Sequence, residues 1–269
     1  MLNDFDLNIV GPALLAGMLV LSTHAPLGRR VLERGIIFID LAIAQVAGLG
    51  VILADTFGWE AHGWEVQVVA VAAAISAAVG LNITEKLWPE IQEALIGVLF
   101  VLAASASILL LANNPHGGEH LKDLLVGQIL WVDYQQLLPL AGLYALLLAF
   151  WFGLGARMPA VGFYLIFAVA ITASVQLVGV YLVFSSLIIP ALATRKLAPA
   201  HQLPAAWGIG LLAYVAGIGL SMVYDYPTGA LIVWSMAVVA VAGAWLLPPV
   251  LGRAPAGCER QRSRTRLQG

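Results

Sequence analysis

Charged residues are scarce in this sequence. They make up 10 % of its 269 residues, while 61 % are hydrophobic; a soluble domain carries about 25 % charge. This shortage excludes an ordinary soluble protein and indicates a chain that crosses a membrane many times. The expected fold class is therefore all-α, a polytopic bundle of transmembrane helices.

Cysteine is nearly absent from the sequence, and the phosphate-binding loop of ATPases is wholly absent. Cys258 is the only cysteine, so no internal disulfide can form. The sequence contains no G-x-x-x-x-G-K-[ST] phosphate loop and no Gly-Lys pair anywhere. Because such a loop is what cradles the phosphates of ATP, we do not expect this chain to hydrolyse ATP or to be an enzyme.

Long hydrophobic runs are what the sequence has in abundance. Windows with little or no charge lie at about 7–27, 35–54, 66–84, 94–112, 134–154, 160–182, 204–223 and 227–247, and each is long enough to span a bilayer. We therefore predict eight spans within a membrane domain over residues 1–252. Residues 253–269 are polar and basic, and we expect them to be a disordered cytoplasmic tail.

The tract from Met158 to Thr194 contains no charged residue in 37 positions. One span needs about 20 apolar residues, so the tract is too short for two full spans and a polar turn. It fits one span and a re-entrant half-helix near 184–194. We expect the break at Pro190, and we expect Arg195 and Lys196 to mark the cytoplasmic end.

The positions of the basic residues predict the orientation. With the N-terminus outside and the half-helix returning to the cytoplasm, 12 of the 13 Lys and Arg residues lie inside, and only Lys122 lies outside. This distribution follows the positive-inside rule. The predicted outer loops are mainly acidic, and such a rim concentrates cations at an entrance.

Three segments carry a family resemblance. The run SSLIIPALATRK resembles the coupling region of metal-type ABC importer permeases, those for zinc, manganese and iron. Ile39–Val51, IDLAIAQVAGLGV, resembles the early intramembrane motif of that family, and Tyr224–Gly229, YDYPTG, resembles its last extracytoplasmic turn. The order and spacing of the three segments together are the specific part of the similarity.

The resemblance implies the membrane subunit of an ATP-driven importer of a divalent transition metal. Zinc is the favoured cargo over manganese or iron, carried as substrate with no permanently bound cofactor. The implied partners are a second copy of the chain, two copies of an ABC ATPase, an extracytoplasmic metal-binding protein and membrane lipid, with no nucleic acid. The implied location is the bacterial cytoplasmic (inner) membrane.

Asp40 is the only charged residue deep inside a predicted span, at a cost of at least ~2.5–3.5 kcal/mol, so we expect it to face a polar path. In the family, this motif pairs an aspartate with a histidine one helical turn apart, and the pair handles the metal. Here the histidine position is Gln45, five residues after Asp40. That spacing is about 140° around a helix, off the shared face. We nevertheless predict a metal pathway at Asp40 and Gln45.

His116, Glu119 and His120 lie in a predicted outer loop and are plausible zinc ligands. Their string is formally H-x-x-E-H, the inverted zinc-protease signature, which requires a helix. Pro115 and Gly117–Gly118 oppose a helix here. We therefore favour a metal-capture loop, with an ordinary polar turn as the plain alternative.

The resemblance also implies an ATPase-coupling element around Leu192–Gln202, in which Pro190, Ala191, Thr194, Arg195 and Lys196 take part. The two bases are equally explained as topology anchors. Two rival functions remain open. One is a secondary transporter driven by an ion gradient, which would need more than one ionisable residue inside the membrane. The other, less favoured, is an intramembrane metal-dependent hydrolase.

Overall fold

The protein is almost entirely helical in the computed structural model, which describes residues 7–59, 63–112, 114, 117–154 and 158–246. The described residues form ten α-helices and two short 3-10 turns. The helices are α1 (Leu7–Arg34), α2 (Ile39–Thr56), α3 (Trp64–Leu87), α4 (Gln92–Leu111), α5 (Gly117–Val126), α6 (Tyr134–Leu154), α7 (Ala160–Val178), α8 (Val180–Thr194), α9 (Pro199–Tyr224) and α10 (Thr228–Leu246). The predicted tail, 253–269, lies outside the described residues.

The predicted all-α membrane bundle is confirmed. Eight of the helices in the described ranges are long and apolar enough to cross a membrane, and each corresponds to one predicted window. Helices suit these apolar runs because they satisfy every backbone polar group within the segment. The protein is thus a multi-pass membrane protein, and α5 and α8 are its two shorter helices.

The tract from Met158 to Thr194 does fold as one span and a shorter helix, but the break is not at Pro190. It lies at Gly179, which has φ +79° and separates α7 from α8. An L-residue rarely adopts that φ, so glycine ends α7 there. Pro190 lies inside α8, where a proline removes only one backbone hydrogen bond. Helix α8 therefore starts at Val180, four residues before the predicted start, and at 15 residues it is about 22 Å long.

The helices pack as two groups. In the first group, α2 packs mainly on α3 and α4, and α3 packs on α7. In the second group, α9 packs on α10, and α8 packs on α1, α9 and α10; α6 joins this group through α1. Fewer contacts connect the groups to each other. Since α7 belongs to the first group and α8 to the second, the chain passes between them at Gly179.

The two ends of the bundle differ in charge. We name one of them the basic end. There, Arg29 contacts the backbone of Pro199 and Arg34 contacts Glu85. The described bases Arg29, Arg30, Arg34, Lys86, Arg195 and Lys196 all lie there, together with Glu33, Glu85, Glu90 and Glu93. The opposite end, which we name the acidic end, carries Asp55, Glu65, Glu119, Asp123, Asp133 and Asp225, together with Lys122.

Candidate functional site

A cavity of about 560 Å³ lies between the two helix groups. Helices α2 and α4 of the first group line one side, and α8 and α10 of the second group line the other. Leu121, Leu125 and Val126 of α5 complete the wall. No charged residue lines the cavity within the described part of the chain, and most of its wall is aliphatic or aromatic. A cavity of this size and character is typical of a binding site or a passage.

Helix α5 is held in place at the acidic end by glycine contacts. Gly127, with φ +70°, follows α5 directly, and a Cβ at this position would overlap the carbonyl of Val178. A Cβ at Gly179 would overlap the Gly127 backbone in turn, and one at Gly229 would overlap the carbonyl of Val126. The end of α5 therefore sits between the α7–α8 break and the start of α10. We name these three residues the glycine joint.

The structure separates the two residues of the predicted metal pathway. Asp40 is the second residue of α2 and is fully buried, and neither of its carboxylate oxygens has a hydrogen-bond partner among the described residues. It lies in the first turn of α2, because the turn at Gly35–Phe38 delays the start of this candidate span to Ile39. The N-terminal end of a helix favours a negative charge.

Gln45 lies on a different face of α2. It is 3 % exposed and lines the cavity, as does Leu41 four residues earlier, whereas Asp40 is not among the lining residues. Helix α2 is a regular α-helix through this region, so no π-bulge brings Asp40 and Gln45 together. The expected 140° offset is therefore what the structure shows.

The predicted metal-capture loop is only partly described. His116 lies outside the described residues, as does the side chain of His120. Glu119 is exposed in the first turn of α5. The expectation that Gly117–Gly118 prevent a helix is wrong, because α5 begins at Gly117. Glycine is tolerated there since the first turn of a helix lacks internal partners for its N–H groups anyway.

The predicted coupling residues fall into two sets. Pro190, Ala191 and Thr194 are buried within the chain, and the Thr194 hydroxyl donates to the carbonyl of Pro190 at 2.9 Å. Arg195 and Lys196 are exposed in the turn between α8 and α9. The structure has no separate short helix over Leu192–Gln202. Instead α8 ends at Thr194, and α9 begins at Pro199.

A cluster at the basic end joins the two helix groups. The guanidinium of Arg34, at the end of α1, lies 3.4 Å from a carboxylate oxygen of Glu85 in α3. The same guanidinium lies 4.5 Å from the ring centre of Phe163 in α7. The side chains of the ion pair are only 19 % and 27 % exposed. Sequence reasoning treated Arg34 only as a topology marker, because its partners are distant along the chain.

Ser185 is the cavity residue that sequence reasoning missed. It lies in the SSLIIPALATRK run and is 4 % exposed, and it faces the cavity from α8. Its neighbour Ser186 is fully buried and donates to the carbonyl of Val183 at 3.0 Å. The serine pair was visible in the sequence, but which hydroxyl faces the cavity depends on how α8 rotates against α2.

Comparisons with known proteins agree with this architecture. The solved structure of PsaBC from Streptococcus pneumoniae in complex with a Fab has a TM-score of 0.73, at 20 % sequence identity over 92 % of this chain and 94 % of that chain. An inward-facing metal-chelate type ABC transporter has a TM-score of 0.66, at 18 % identity over 88 % of this chain and 85 % of that one. At these identities the two structures show a shared fold.

Sequence comparison supplies the family. No curated protein matches the chain by sequence. The model of the ABC 3 transport family, however, matches residues 6–246, which is nearly the whole chain. This match spans both helix groups, the cavity between them and the α7–α8 break. The chain therefore belongs to the ABC 3 transport family.

Proposed function

We propose that this chain is the membrane-spanning permease subunit of an ATP-driven importer of a divalent transition metal, with zinc as the favoured cargo. Membership of the ABC 3 transport family supports a transport role. The resemblance of three segments to metal-type permeases supports a metal as cargo. A solved structure with the same fold is described as a metal-chelate type ABC transporter, which is consistent with this class of cargo.

The observation that carries the proposal is the cavity between the two helix groups. It lies beside the break between α7 and α8, so its wall includes a helix that does not cross as a full span. Broken helices of this kind are how transporters build a path through a bilayer. Helix α5 contributes to the wall from the acidic end. In this proposal, α5 closes the path on the outside, where a mainly acidic rim attracts cations.

The proposed complex has two copies of this chain, two ATPase subunits and an extracytoplasmic metal-binding protein. The chain lies in the bacterial cytoplasmic (inner) membrane with its N-terminus outside, so that the basic end faces the cytoplasm. The exposed Arg195 and Lys196 then meet the ATPase, while the buried Pro190, Ala191 and Thr194 hold the turn that presents them. ATP binding moves this turn, and the cargo crosses by alternating access.

The metal path runs through the cavity, past Gln45, and Asp40 keeps the start of α2 polar. His116, Glu119 and His120 form the proposed capture site at the entrance. The described residues contain no group of three or more His, Cys, Asp and Glu side chains that could hold a metal ion. His116 and the side chain of His120 lie outside the described residues, so Glu119 is the only member of the proposed capture site among them.

Uptake in cells that lack the subunit tests the proposal. Restoring the chain together with its ATPase should restore accumulation of radioactive zinc more than of radioactive manganese, and ATP depletion should abolish it. Uptake that persists without ATP and follows an ion gradient would support the secondary transporter instead. Equal accumulation with and without the chain would refute a transport role.

A further inference from the structure

The cavity presents two buried polar side chains, one from each helix group. Gln45 of α2 is 3 % exposed and Ser185 of α8 is 4 % exposed, and both line the wall. Tyr181 and Trp234 are the other lining residues with polar groups, and both are more than half exposed at the open side. The buried part of the wall is otherwise apolar. Gln45 and Ser185 are therefore the buried polar side chains that a cargo inside the cavity can contact.

Neither side chain has a partner of its own. No described residue hydrogen-bonds the amide of Gln45 or the hydroxyl of Ser185, whereas nearby buried hydroxyls such as those of Ser186 and Ser107 donate to carbonyls of their own helices. The polar atoms of Gln45 and Ser185 are not among the fully buried unpaired atoms of the described residues, which include those of Asp40 and Tyr214, so both polar groups are open to the cavity. Two polar groups that open onto the same cavity, one on each side, and have no partner in the described chain are both available to a ligand inside it.

We propose that Ser185, together with Gln45, forms the contact through which a partly hydrated divalent cation passes between the two helix groups. This inference rests on the proposed function and adds Ser185 to it. The amide oxygen and the hydroxyl oxygen are neutral metal ligands, which hold a transition metal more weakly than imidazole or thiolate. A cation therefore keeps part of its water shell here and exchanges some waters for the two oxygens.

Weak binding of the cation is what a transport pathway requires. Conduction requires binding that is favourable enough for the ion to enter and weak enough for it to leave. Because the two oxygens come from different helix groups, movement of one group against the other separates them and releases the cation. Metal preference at this point is then low, and a soft ligand introduced at either position should raise it.

Site-directed labelling in the Cys258→Ser background tests the proposal without relying on transport. In the assembled transporter, the Ser185→Cys thiol should react with a small, charged thiol reagent, and cadmium ion should protect it by at least about tenfold, since thiolate is a soft ligand. The matched control is Ser186→Cys, one residue away on the same helix and turned from the cavity, which should react slowly with no cadmium protection. Equal labelling of the two variants, or no protection of the Ser185→Cys thiol, would overturn the proposal.

Uptake measurements separate this proposal from the proposed function. Ser185→Ala should lower the rate of zinc uptake about fivefold, the effect of losing one polar contact, while Ser186→Ala changes it little. Gln45→His should raise the preference for zinc over manganese. If the wild-type complex takes up metal but Ser185→Ala and Gln45→Ala do so at the wild-type rate, the cavity contact is wrong and the permease function stands. If the wild-type complex takes up no metal, the function itself fails.

Discussion

The two helix groups are joined by different physical means at the two ends of the molecule. At the acidic end, the glycine joint brings backbone against backbone with no charge involved. At the basic end, the joint is the Arg34–Glu85 ion pair together with the Phe163 ring. A backbone contact is lost abruptly when a side chain is added, whereas a charge contact weakens gradually with salt and separation. We therefore expect the basic end to open at lower cost, and this is the end where the proposed ATPase binds.

Adding a side chain to the glycine joint should have the largest effect. Gly179→Ala places a methyl group against the Gly127 backbone and imposes a φ that alanine avoids. Overpacking costs about 1–3 kcal/mol and the φ strain adds to it, so the unfolding temperature in detergent should fall by about 5 °C or more. Gly229→Ala places its methyl group only against the Val126 carbonyl, so it should lower the unfolding temperature by less.

Gly219→Ala is the control for this prediction. Gly219 lies in α9, and a Cβ built there meets nothing within 4 Å. The same methyl group should leave the unfolding temperature unchanged or raise it slightly, because alanine favours a helix. If Gly179→Ala and Gly219→Ala unfold at the same temperature, close packing at the joint does not stabilise the protein.

Removing the charge contact at the basic end should have an intermediate effect. Arg34→Ala breaks a partly buried ion pair and the contact with Phe163, each worth about 1 kcal/mol. A double-mutant cycle with Glu85→Ala should give a coupling energy of the same size, which decreases in high salt. We expect transport to respond as well, with faster ATP hydrolysis in the absence of cargo because the basic end opens more readily.

The exposed pair Arg30–Glu33 supplies the control for that cycle. Its side chains are 47 % and 44 % exposed, and both belong to α1. Arg30→Ala should therefore change stability by less than about 0.5 kcal/mol and leave ATP hydrolysis unaltered. A coupling energy near zero for Arg34 and Glu85 would show that the two ends do not differ in the way described.

Neutralising the exposed turn should have the smallest effect on the protein itself. Arg195→Ala and Lys196→Ala remove charges that make no ion pair within the described chain, so stability should stay within about 0.5 kcal/mol of wild type. Co-isolation of the ATPase should nevertheless fall, most strongly for the double variant and at low salt. Unchanged co-isolation of the double variant would favour the view that these bases only anchor the topology.

The sequence and the structure agree where composition alone decides. Apolar runs of about 20 residues have to become helices in a bilayer, because lipid offers no partner for the backbone, and all eight windows did so. The disagreements concern residues whose role depends on neighbours. Pro190 was a reasonable place for a break, but α8 tolerates it. Gly179 ends α7 because α5 leaves room there for backbone only.

The candidate site shows the same limit on what can be predicted from sequence. The spacing of Asp40 and Gln45 predicted that they would not share a helix face, since the angle per residue is a local property of the helix. Whether Asp40 or Gln45 points toward the cavity is not a local property, and neither is the choice between Ser185 and Ser186. Both depend on how α2 and α8 rotate against each other. The Arg34–Glu85 pair joins residues far apart along the chain, so no pattern within one helix indicates it.

By itself, the sequence determined that this protein is a multi-span helical membrane protein with one span followed by a shorter helix. That much follows from the length of its apolar runs and the reach of a helix. Only the tertiary structure decided where the chain changes direction, which two polar side chains face the cavity and how the two helix groups are held together. These features depend on which surfaces meet when helices distant in the sequence pack against each other.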